Sequence, residues 1–182
     1  MHSVKLVALL VLAAGRTAGA ESEQALSVGL GYATFSVPGE AVNNMPAPSL
    51  SPTWGGALTL SYERAIGTDV ALRAELAGGM FYGGGVEDQS NVSYALLADA
   101  GVAFRFDVFK YVPYAFAGLG AVASGGGPID RGTDFVLVVG GGCDKLLSRS
   151  RSLGAELRVA SFGGDITVFT IGVRGTVRWG FF

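Results

Sequence analysis

Residues 21–182 of this 182-residue chain predict an all-β fold: eight antiparallel strands, connected up and down, closed into a barrel that spans a membrane. Three observations carry the prediction. Apolar residues alternate with small or polar ones at period two through nearly the whole segment, and the breaks fall at turn-forming Gly, Pro and Asn. The chain is 49% apolar and only 15% charged, too apolar for an ordinary soluble surface. Yet nothing after residue 20 offers the roughly 18 uncharged apolar residues of a membrane helix. Finally, the ionised side chains within the alternating segments keep to one face. The length suits one domain.

Residues 1–20 read as a cleavable export signal. Lys5 supplies the positive start, Leu6 to Ala14 the apolar stretch, and Ala18-Gly19-Ala20 the small-residue cleavage pattern before Glu21. The apolar stretch is too short to span about 30 Å as an anchor helix. Without Lys5 and Arg16, eleven basic residues face fifteen acidic ones, a net charge of −4 that gives no electrostatic case for nucleic-acid binding. The only histidine, His2, leaves with the signal, and the single cysteine, Cys143, has no partner for a disulfide within the chain.

The eight strands are predicted at about 25–36, 54–64, 69–82, 92–106, 111–123, 133–145, 152–161 and 165–181, long enough for the 9 to 11 or so residues a tilted strand needs to cross the hydrocarbon. The connections after strands one, three and five are long and rich in Pro, Gly and Asn. Those after strands two and four, around Gly67-Thr68 and Val108-Phe109-Lys110, are short. Leu147 to Arg151 is intermediate, and Gly163-Gly164 is short where the pattern favours a long loop. Long loops on one side and short turns on the other are characteristic of membrane barrels.

In the second segment Leu58, Leu60 and Tyr62 oppose Thr59, Ser61 and Glu63. In the third, Val70, Leu72, Leu76 and Met80 oppose Arg73 and Glu75. In the fourth, Val92, Tyr94, Leu96, Val102, Phe104 and Phe106 oppose Ser93, Asp99 and Arg105. The seventh sets Leu153, Leu157 and Val159 against Glu156 and Arg158, and the eighth sets Phe169, Ile171, Val173, Val177 and Trp179 against Arg174 and Arg178. Alternation alone leaves open which face is inside, since a soluble lipocalin-like barrel turns the apolar face inward. The polar face is mostly Gly, Ala, Ser and Thr, with arginine as its only cation. Such a composition suits a narrow lumen in which bidentate pairs neutralise one another. The expectation is therefore a luminal network of Glu63, Arg73, Glu75, Asp99, Arg105, Glu156, Arg158, Arg174 and Arg178. Tyr32, Tyr62, Tyr82, Tyr94, Phe106, Tyr114 and Trp179 are expected to face lipid as an aromatic girdle. Arg64 breaks the parity, but ends its strand, where it can snorkel to the interface. Cys143 shares the parity of Phe135, Leu137 and Val139 and is expected to face outward.

The signal, the eight segments, the run Tyr111-Val112-Pro113-Tyr114-Ala115-Phe116-Ala117-Gly118-Leu119-Gly120 and the aromatic chain end resemble the small eight-stranded outer-membrane barrels of the OmpA transmembrane-domain and OmpX type, over roughly residues 22–182. The resemblance implies a monomer in the outer membrane of a Gram-negative-type bacterium, in contact with outer-membrane lipid and lipopolysaccharide. It also implies delivery by the outer-membrane assembly machinery, which reads the final strand of such proteins. Here Phe182 is last, while the apolar row runs Val173, Gly175, Val177, Trp179, Phe181, so the assembly signal of Trp179, Phe181 and Phe182 is displaced by one residue.

Catalytic chemistry is not expected. A chain without histidine after residue 20 has neither a Ser-His-Asp arrangement nor a histidine metal site, and so does not look like the lipid A deacylases among eight-stranded barrels. Gly125-Gly126-Gly127 lacks the Gly-Lys-Ser/Thr of a phosphate loop. Acids such as Glu87, Asp88, Asp130 and Asp134 have no calcium-loop spacing. No cofactor or metal is expected. Eight strands enclose a space just wide enough for side chains, which predicts a filled, non-conducting barrel with a structural or surface-interaction role and an unknown surface ligand. A secreted soluble barrel holding an apolar ligand and a narrow outer-membrane pore are the alternatives.

Overall fold

A computed structural model describes residues 22–38, 49–84, 92–106, 108–126, 132–162 and 166–180. Eight long strands form the wall: β1 Gln24–Pro38, β2 Trp54–Ala65, β3 Val70–Tyr82, β4 Val92–Arg105, β5 Tyr111–Gly125, β6 Gly132–Ser148, β7 Arg151–Phe162 and β8 Ile166–Trp179. Each pairs antiparallel with the next, and β1 also pairs with β8 from Gln24↔Trp179 to Ser36↔Thr167, which closes the barrel. Closure leaves the wall without a free edge, so its backbone groups are satisfied strand to strand, as hydrocarbon requires. Beyond the wall, Ser49 and Leu50 pair with the end of β1 at Pro38 and Val37.

The strands fall within three residues of the sequence expectation at every end. The largest difference lies at the end of β6, which runs to Ser148 where 145 was expected. It keeps pairing with β7 through an irregularity between Leu146 and Ser148, so the expected intermediate connection is reduced to Arg149-Ser150. The β4–β5 turn is as tight: Val108 and Tyr111 exchange backbone hydrogen bonds of 3.1 and 3.0 Å around Phe109-Lys110. Phe109 adopts φ 55° there, a left-handed conformation that favours glycine, and its side chain is 97% exposed. Three residues, 163–165, separate β7 from β8; they lie outside the described residues, as do the long segments 39–48, 85–91 and 127–131.

The two faces of the wall answer the inside-outside question. Outward rows such as Leu26, Val28, Leu30 on β1, Leu58 and Leu60 on β2, Leu137 and Val139 on β6 and Ile171, Val173, Val177 on β8 are exposed. Glu63, Arg73, Glu75, Asp144, Arg158, Arg174 and Arg178 are buried. This is the reverse of a soluble barrel with an apolar ligand, and it does not favour that alternative.

The lumen is divided along its axis. The charges gather toward the end with the short turns. Toward the other end lies an apolar core of Phe35, Phe81, Leu97, Val122, Val136, Val138 and Phe162, with Phe35 and Phe81 edge to face at 5.2 Å. Strand parity does not mark this apolar half: the inward rows of β5 and β6 are as apolar as their outward rows, and Phe35, Phe81, Leu97 and Phe162 share the faces that carry small or polar residues elsewhere in their strands.

Candidate functional site: the luminal charge network

Each charged residue reaches the lumen because strand geometry sends alternate side chains to the same face, and antiparallel register brings those rows side by side. Glu63 on β2 stands opposite Arg73 on β3, and Glu75 on β3 stands opposite Asp99 on β4. Arg73 Nη1 donates to Glu63 Oε1 at 3.2 Å, while its Nη2 reaches Glu75 Oε2 at 2.5 Å and Glu156 Oε2 at 3.1 Å. Arg105 grips Glu63 Oε2 through Nη2 at 2.7 Å and Nε at 3.2 Å. Arg158 pairs with the other oxygen of Glu75. Arg174 lies against Asp144 with its Nε and Nη2 each 3.0 Å from a carboxylate oxygen, and its Nη1 is 3.3 Å from Glu156 and 3.5 Å from Glu63. Arg178 Nη2 donates to Asp144 Oδ2 and its Nη1 to Ser152 Oγ, both at 3.0 Å.

Two charged members lie outside the sequence expectation. Asp144 is fully buried and binds both Arg174 and Arg178. Its position, in phase with Val136 and Val138 and out of phase with Cys143, marks it as luminal, so its parity was a usable signal. Glu23 precedes β1 and joins the network through Arg105 at 2.8 Å and Arg178 at 3.6 Å. Nothing in the alternation marked it, because it lies before the expected first strand.

Tyr114 corrects an expectation. Assigned to the lipid-facing girdle, it is buried in the lumen, where its hydroxyl donates to Glu156 Oε2 at 3.0 Å. Its Cα partner on β4 is Arg105, a luminal residue, so register fixes its face where composition could not. Tyr114 and Phe116 form a stacked pair, 6.3 Å between centroids, and the guanidinium carbons of Arg174 and Arg73 lie 3.8 Å above the Tyr114 and Phe116 rings respectively. The rings hold two cations face-on while the carboxylates approach edge-on, a division that suits planar guanidinium and no lysine.

Glycines on β6 make room for these rings. A Cβ at Gly140 would lie 2.5 Å from Phe116 Cζ, and one at Gly142 2.4 Å from the Tyr114 hydroxyl. Asp99 differs from the other luminal carboxylates. It is buried, but among the described residues its Oδ2 has no hydrogen-bond partner and no arginine forms an ion pair with it.

The remaining expected girdle residues lie on the outer surface. Tyr32, Tyr82, Tyr94, Phe106 and Trp179 are between 40% and 55% exposed, and half-buried Tyr62 donates its hydroxyl to Gln24 Oε1. Trp54, Tyr111 and Phe135, outside the expected girdle, share that surface. Cys143 is exposed, and Arg64 at the end of β2 donates from Nε to Ser22 Oγ at 3.0 Å. Phe181 and Phe182 lie outside the described residues.

Chemically, the site is a lattice of alternating cations and anions with few groups left over. Glu63, Glu75, Glu156 and Asp144 accept hydrogen bonds from two or more arginine nitrogens each, which leaves them poorly placed to take a proton from a substrate. Among the described residues no cluster of His, Cys, Asp and Glu could hold a metal ion.

No family model and no curated protein sequence matches the chain. Solved structures do. Ail, the attachment invasion locus protein of Yersinia pestis, crystallised with the heparin analogue sucrose octasulfate, is 17% identical, covers 87% of this chain and 99% of its own, and superposes with a TM-score of 0.58. Neisserial surface protein A is 16% identical over 86% of this chain and 97% of its own, with a TM-score of 0.59. The outer membrane enzyme PagL is 11% identical over 84% and 98%, with a TM-score of 0.51. At such identities the likeness is one of architecture, and with the closed wall, the apolar exterior and the charged lumen it establishes that this chain has the fold of the small eight-stranded outer-membrane β-barrels.

Proposed function

We propose that the protein is an integral outer-membrane barrel of a Gram-negative-type bacterium, with a structural or surface-interaction role and no transport path. The observation that carries this reading is the filling of the lumen: a charge lattice toward one end and a packed apolar core toward the other. An eight-stranded wall leaves room for little else. The narrow-pore alternative needs both layers to part.

PagL shows that this fold also serves an enzyme, so the fold by itself does not decide the matter. The non-enzymatic reading rests on the residues: histidine is missing after His2, and the luminal carboxylates other than Asp99 are engaged by arginine. The solved structure of Ail carries a polyanionic heparin analogue. Here the sequences joining strands at the long-segment end contain Glu40, Glu87, Asp88, Asp130 and Asp165 against Arg131 alone. That balance favours a surface partner that is not polyanionic. Lipid and lipopolysaccharide around a single barrel, with assembly guided by the Trp179, Phe181 and Phe182 end, complete the proposal.

Planar-bilayer recording on the folded protein tests the central point. No stable conductance is expected, and a reproducible single-channel step would overturn the closed lumen.

A further inference from the structure

Every luminal arginine touches at least one carboxylate, yet four cations on the outside of the short-turn rim touch none among the described residues. Lys110 lies in the β4–β5 turn, Lys145 near the end of β6, Arg149 in the β6–β7 turn and Arg151 at the start of β7. All four are exposed, and among the described residues none has an ion-pair partner. Asp107, the acid in the sequence of these turns, lies outside the described residues.

Register places the cations together. Lys145 is the Cα partner of Tyr111 on one side and of Leu153 on the other, and the backbone N–H of Leu146 donates to Lys110 O at 2.9 Å. Arg151 lies two residues before Leu153 on the same face, which sets it diagonal to Lys145 at roughly 7–8 Å between Cα atoms. The surface between and around them is apolar and aromatic: Phe109, Tyr111, Leu147 and Leu153 are all more than half exposed. Phe109 is held in a backbone conformation that favours glycine while its ring projects from the rim, a cost that makes sense where the ring enters another apolar phase.

We infer that this rim, from the β4–β5 turn to the start of β7, binds the phosphate headgroup of an anionic phospholipid. The inference rests on the outer-membrane reading above. The aromatic and aliphatic side chains enter the upper acyl region, and Lys145 and Arg151, flanked by Lys110 and Arg149, take the phosphate. Charge complementarity selects the occupant. A basic cluster beside a membrane attracts anionic lipid, whereas the acid-rich sequences at the opposite end repel phosphate. The occupant is therefore a phospholipid of the leaflet at the short-turn end and not a lipopolysaccharide phosphate at the other.

The chain contains two tryptophans, one near each end of the wall. Trp179 is two residues from Val177, the Cα partner of Arg151, whereas Trp54 starts β2 opposite Tyr82 at the long-segment end. Two single-tryptophan proteins, Trp54→Phe and Trp179→Phe, are refolded into phosphatidylcholine vesicles. Either the phosphatidylcholine or an added phosphatidylglycerol is brominated near the headgroup. Quenching of Trp179 is expected to show a preference for phosphatidylglycerol of roughly three- to ten-fold. The preference should vanish in the Lys145→Gln/Arg151→Gln double variant, and Trp54 should show none. Equal quenching of Trp179 by the two lipids, a preference that survives the double variant, or a preference at Trp54 instead would overturn the site while leaving the membrane barrel intact. If neither lipid quenches either tryptophan, the membrane reading falls with it.

Discussion

Arg174 touches Asp144, Glu156 and Glu63 at once and caps the Tyr114 ring, so replacing it by alanine leaves three luminal carboxylates under-compensated, Asp144 and Glu63 fully buried among them. Breaking a buried pair from one side costs about 3–5 kcal/mol, and Arg174→Ala is expected to lower the urea midpoint of the folded protein in detergent by a corresponding amount. Asp99 provides the opposite case. With Oδ2 unpartnered, its charge is a liability, and Asp99→Asn should leave the midpoint unchanged or raise it. Equal destabilisation by both substitutions would show that the lattice does not discriminate among its acids. The nine luminal charges named from parity were legible because each sits in a strand whose other face is plainly apolar. Tyr114 was not, since β5 carries Val112, Tyr114 and Phe116 on one face and Ala115, Ala117 and Leu119 on the other. There the face is chosen by the neighbouring strand, through Arg105, and a single sequence does not display register.

Among the elements, β6 shows how much of the lumen depends on what a strand leaves out. Its Gly140 and Gly142 face inward beneath the Phe116 and Tyr114 rings, and an added methyl at Gly140 would meet both the ring and the backbone oxygen of Leu157 at 2.5 Å. Gly140→Ala is expected to cost about 1–3 kcal/mol. Gly175 on β8 has nothing within 4 Å of an added Cβ, so Gly175→Ala should be tolerated, and thermal unfolding of the two variants side by side makes the comparison. A similar loss at both positions would mean that backbone freedom, and not luminal space, is what these glycines supply. The sequence showed β6 as a strand through its apolar row, but the run Gly140-Gly141-Gly142 gave no sign of its purpose. Only the rings opposite explain it, and they belong to another strand.

For the molecule as a whole, the proposed closed lumen has two layers, one charged and one apolar, and each is expected to seal it independently of the other. Arg174→Ala combined with Asp144→Ala removes a neutral pair from the charged layer yet leaves Phe35, Phe81, Val122, Val136 and Phe162 packed across the other half. That double variant is therefore expected to remain non-conducting in planar bilayers, and a step opened by it alone would show that the charged layer is the sole barrier. The topology of up-and-down strands was readable because chain neighbours are spatial neighbours at every step but one. The exception is the seam between β1 and β8, where Gln24 meets Trp179 and thirteen residue pairs join the two ends of the described chain. Until that seam forms, both outer strands present unpaired N–H and C=O groups that hydrocarbon does not satisfy. Each partial barrel is consequently a poor lipid-soluble species, and its earliest and latest residues must find each other across some 150 positions of sequence. Closure of that seam is thus expected to be a late, all-or-none step, and a chain stalled before β8 would be left with an adhesive edge facing its surroundings.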